Sequence, residues 1–136
     1  MRYLKKYKIF ESIEDDSSVI STIEDMSLDL EDTGLNVTVS KFSIQGDIGG
    51  TNGRVFIRIH GSMLAEPFPE SDELNEFLTR VDNYMINNGF ISYIISYSYL
   101  EESDWHEDVR AFNIKQLLQD IENYETVSEI RLYYKR

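Results

Sequence analysis

The chain has no cysteine, which excludes disulfides, thiolate zinc sites, iron–sulfur clusters and cysteine nucleophiles together, and fits a reducing compartment. Proline is scarce, with two residues confined to Glu66-Pro67-Phe68-Pro69-Glu70, and there is no internal repeat or low-complexity tract. No apolar run approaches the roughly 18 residues of a membrane-spanning helix. The early lysines are not followed by an apolar stretch, so a secretory signal is not expected. Positive charge is also short: 13 Lys and Arg stand against 25 Asp and Glu, a formal net charge of −12. Such a field repels phosphate backbones and anionic membranes over about 8–10 Å in physiological salt. The expected partner is therefore a protein, basic or itself nucleic-acid-binding. Membrane and nucleic acid are disfavoured, and no cofactor is expected.

What is present suits one domain of 136 residues. Nine Tyr and seven Phe accompany a hydrophobic fraction of 41%, far from the composition of a disordered chain. Charge is unevenly placed. Residues 1–13 carry Arg2, Lys5, Lys6 and Lys8 against Glu11, a net of +3, which leaves −15 on residues 14–136. The organisation expected is a basic tail, 1–13, and a single acidic domain, 14–136.

Along that domain, Val19, Ile20, Ile23, Met26 and Leu30 recur at helical spacing behind a cap at Asp16 or Ser17, and Gly34 ends the helix. Strands are expected over 36–44 and 54–60, joined by a glycine-rich hairpin loop, 45–53. A second helix opens at Ser71 or Asp72 and closes at Gly89. Ile91, Tyr93, Ile95, Tyr97 and Tyr99 share one parity of the next strand, with serines on the other. An acidic turn over 101–108, a short helix around 114–124 and a last strand over 127–134 complete the chain. The expectation is an α+β two-layer sandwich: a four-stranded, mainly antiparallel sheet with two long helices on one face, ferredoxin-like and permuted.

No catalytic constellation stands out. The glycine loop joins two strands and is followed by no Gly-Lys-Ser/Thr, so it reads as a hairpin tip rather than a phosphate cradle. Asp104, His106, Glu107 and Asp108 offer an imidazole among carboxylates, the material of a small histidine-based or metal-dependent hydrolase, but without a metal-ligand spacing. A solvated acidic turn is the simpler reading. Arg54, Phe56, Arg58 and His60 alternate on one strand face, as a nucleic-acid stacking platform would require; pairing of the arginines with nearby carboxylates is the alternative. The densest feature is the acidic first helix, where Glu24, Asp25, Asp29, Glu31 and Asp32 form the expected protein-binding surface.

The tail differs in kind. Met1-Arg2-Tyr3-Leu4-Lys5-Lys6-Tyr7-Lys8-Ile9-Phe10-Glu11-Ser12 resembles the capsid-targeting peptides of internal head proteins in large tailed phages. In that family a prohead protease cuts after a glutamate preceded two residues earlier by leucine or isoleucine. The resemblance implies processing at Ile9-Phe10-Glu11, with Ser12 the new first residue. The run from Ile23 to Val37 is similar to segments of small uncharacterised proteins of such phages. The resemblance implies a virion-associated accessory protein, located in the host cytoplasm or the virion interior, that binds a host or phage protein. A structural virion component that forms a homo-oligomer is the other expectation.

Overall fold

A computed structural model describes residues 15–44, 50–61, 72–123 and 127–136. The tail, with Ile9, Glu11 and Ser12, lies outside the described residues, as do most of the glycine loop and Ser71. The elements are α1 (Asp16–Met26), α2 (Leu28–Glu31), β1 (Leu35–Lys41), β2 (Arg54–Gly61), α3 (Asp72–Asn87), β3 (Ile91–Glu101), β4 (Asp104–Ala111), α4 (Ile114–Asn123) and β5 (Val127–Lys135). The strands form one antiparallel sheet in the order β1-β2-β5-β3-β4.

The helices lie against one sheet face, where alternate strand residues point inward. Ile57 and Ile59 of β2 pair with Leu132 and Ile130 of β5, and these in turn with Ile95 and Tyr97 of β3. All six are essentially buried together with Val19 and Ile23 of α1, Leu78 and Val81 of α3 and Leu117 of α4. Each large aliphatic side chain removed from water there contributes about 1.5–3 kcal/mol. Two tyrosines fasten the layers at their polar tips: the Tyr134 hydroxyl donates to Asp82 on α3 at 2.8 Å, and that of Tyr97 to Asp120 on α4 at 3.0 Å. Burial, then the neighbouring Asp82 carboxylate, pushes the Tyr134 phenol far up, so it stays a donor.

The sheet has five strands, not four. The segment expected as an acidic turn is β4, hairpinned onto β3 through Glu102 and Ser103, whose φ of 49° and 76° make a two-residue reverse turn. That turn type usually shows Asn-Gly, and residues 104–108 are all exposed, so neither turn chemistry nor an apolar alternation announces the strand. The run from β2 to β5 is a β-α-β-β-α-β unit in which each helical crossover passes over one intervening strand.

Three local expectations also change. Asp15, rather than Asp16 or Ser17, caps α1, its carboxylate accepting the Ser18 amide at 2.8 Å. The first helix is broken at Ser27, which is buried and donates its hydroxyl back to the Glu24 carbonyl at 2.7 Å, a bond that bends helices. Gly34, at φ 98°, ends α2 as expected. In β3 a bulge between Ser92 and Ile94 resets the alternation, so Tyr97 is buried while Ile91 and Tyr93 are 58% and 40% exposed.

Candidate functional site

The helical layer carries the acidic surface. Glu24, Asp25, Asp29, Glu31 and Asp32 are all exposed, as the amphipathic spacing predicts. With the end of α1, α2 and α3 border a shallow groove of about 40 Å³, open to solvent. Met26, Leu30 and Phe77 form its apolar floor; Asp29, Glu73 and Glu76 form an acidic rim, with Arg80 at the same groove. Leu28, also on α2, is 58% exposed. An open acidic groove with an apolar floor suits a basic amphipathic segment better than an enclosed small molecule. The contributions of α3 were missed from sequence because Glu73, Glu76 and Arg80 read as the solvated face of an ordinary helix.

The alternative site does not assemble. Asp104, His106, Glu107 and Asp108 are spread along the exposed edge strand β4. The His106 ring stacks on Tyr99 at 4.6 Å, whereas Asp108 turns to Arg131 at 3.6 Å. No group of three metal-ligating side chains converges among the described residues. His60, on β2, places its Nδ1 2.9 Å from the Gly61 carbonyl oxygen.

The other sheet face is unlike the helical one. No described helix packs on it, and its cross-strand rows mix basic and aromatic side chains. One row runs Thr38, Arg58, Arg131, Ser96 and Arg110; the next runs Ser40, Phe56, Tyr133 and Ile94. Glu129 holds both central arginines. Its carboxylate takes Arg58 Nε at 2.9 Å and Nη2 at 3.4 Å, and bonds Arg131 Nε as well. Burial pushes the Glu129 pKa up, but the hydrogen bonds from Arg58 and Arg131 outweigh it and hold the carboxyl below its ordinary value.

The aromatic row argues against base stacking. Phe56 and Tyr133 lie face to face at 4.5 Å and 8°, Phe42 meets Tyr133 edge-on at 5.1 Å, and Tyr93 carries the Lys135 ammonium at 4.6 Å. The ring faces are occupied by one another, and a base would have to part them. Of this face the sequence offers Arg54, Phe56, Arg58 and His60 through parity; Tyr133, Arg131 and Lys135 escaped notice, although the alternation Glu129-Arg131-Tyr133-Lys135 carries the same signal.

No family model and no curated protein matches the chain. A crystal structure of CofB from enterotoxigenic Escherichia coli is similar over 78% of this chain, with 11% identity and a TM-score of 0.43. The chain spans 23% of that protein's length, and so loose a likeness carries no argument here.

Proposed function

We propose that this chain is a non-catalytic accessory protein, phage-encoded, that binds a basic amphipathic segment of a host or phage protein in the groove between α2 and α3. The observation that carries the reading is the groove itself, an apolar floor of Met26, Leu30 and Phe77 rimmed by Asp29, Glu73 and Glu76, in a helical layer that also exposes Glu24, Asp25 and Asp32. Packaging in the head and cleavage after Glu11 belong to the same proposal, resting on the tail's resemblance, and place the protein in the infected cell's cytoplasm or the virion interior. The frame is read as a variant of the ferredoxin-like plait.

Exposed ion pairs contribute about 0.2–1 kcal/mol each, so several together give an affinity that salt reduces. The test is fluorescence anisotropy with a labelled amphipathic Lys/Leu peptide. Reversal of Glu24, Asp25, Asp29 and Asp32 to lysine is expected to weaken binding at least tenfold, about 1.4 kcal/mol. Equal affinity for the reversed variant, or for a Glu/Leu peptide, contradicts the assignment.

A further inference from the structure

The two sides of the molecule carry opposite charge. The helical layer presents Glu24, Asp25, Asp29 and Asp32, whereas the sheet face on which no described helix packs presents Arg58, Arg110, Arg131 and Lys135, with Glu129 and Asp108 the carboxylates paired to its central arginines. We propose that the sheet face is the seat for the acidic helices of a second copy, so that chains associate head to tail. The inference rests on the acidic helices being a docking surface and names one basic partner for them.

Complementarity on both counts selects this occupant. The carboxylates of α1 and α2 match the arginines, which Glu129 fixes through Arg58 Nε and Nη2 and Arg131 Nε, with Arg131 Nη1 3.6 Å from Asp108, and which stay 33% and 39% exposed. Exposed Leu28 matches the ridge of Phe42, Phe56 and Tyr133. The chain's own residues 1–13 are the wrong occupant, since Arg2, Lys5, Lys6 and Lys8 repeat the charge of the face. A nucleic acid would meet ring faces already taken. Five strands spaced at about 4.8 Å, over about seven residues of 3.3 Å rise, offer roughly 550 Å² per partner, or about 1,100 Å² in all. That is the low end of specific interfaces and implies weak, salt-sensitive association. The two surfaces differ, so the contact is heterologous, and repetition extends the assembly rather than closing a dimer.

Sedimentation velocity tests this with the full chain and two variants. One blocks the sheet face (Arg110→Glu with Lys135→Glu); the other neutralises the helices (Glu24→Gln, Asp25→Asn and Asp29→Asn). The wild type is expected to sediment faster with rising concentration, past the dimer, and to revert in high salt. Each variant alone should associate at least tenfold more weakly. Their mixture should recover a dimer and stop there, because only one productive contact remains; that recovery also shows both variants folded. Arg110→Ser alone, on an exposed edge strand, is a milder second variant expected to weaken association severalfold. A wild type monomeric at all concentrations, a mixture that does not associate, or tight binding of a labelled single-stranded oligonucleotide abolished by the sheet-face variant overturns the proposal. If the Lys/Leu peptide still binds while self-association is absent, the seat on the sheet is wrong and the acidic groove stands.

Discussion

Asp16, read from sequence only as a cap candidate, ties three distant parts of the fold together. Its carboxylate accepts the Gly53 amide at 2.7 Å and lies 3.8 Å from Lys41 Nζ and 3.4 Å from Arg136 Nη1. Arg136 in turn packs its guanidinium over Phe90 at 4.4 Å. None of these contacts is local, so no periodicity could reveal them. Asp16→Ala leaves the Gly53 amide without its acceptor and is expected to lower unfolding stability by about 2 kcal/mol, whereas exposed Asp25→Ala should stay within about 0.5 kcal/mol. Urea unfolding of both variants checks this. Glu129 makes a pH prediction. Its folded pKa lies below the ordinary 4.5, so the folded state binds this proton less readily than the unfolded chain. The stabilisation is complete above the ordinary value and is lost as pH falls through 4.5 and on through the lowered value. Glu129→Gln should flatten stability against pH below about pH 5. An unchanged slope would mean that the Arg58 and Arg131 contacts leave the proton affinity alone.

Among elements, those with strong periodicity were legible: α3, α4, β2 and β5 fall within a residue or two of their expected bounds wherever the structure describes them, and α1 starts where expected but ends at Met26 instead of running on to Gly34. Asn113 and Gln116 mark the start of α4 clearly, the Gln116 amide bonding Asn113 Oδ1 at 2.8 Å. What escaped was β4, an edge strand that pairs with β3 and whose residues 104–108 are all exposed. Its turn is also the element most open to improvement. Glu102 and Ser103 occupy left-handed conformations that disfavour side chains by about 1–2 kcal/mol each. Replacing them by Asn and Gly should raise stability by about 1 kcal/mol, read as a shift of the thermal midpoint. A loss of stability would mean that the Glu102 and Ser103 side chains contribute more than their backbone conformation costs.

For the whole molecule, net charge conceals a division by layer. The sequence shows the −12 and the acidic first helix, because those residues are contiguous. It hides the basic sheet face, whose residues come from β2, β4 and β5 and meet only through strand order. It hides the groove as well, since its rim joins α2 to an α3 more than 40 residues away. The proposed binding role depends on that groove rather than on charge alone. The most direct test is nuclear magnetic resonance mapping of the ¹⁵N-labelled chain titrated with the Lys/Leu peptide at about 0.05 M and again at about 0.5 M salt. Amide shifts centred on Met26, Asp29, Glu73 and Glu76 that shrink at the higher salt are the predicted result. Shifts absent from both α2 and α3, or unaltered by salt, would contradict it.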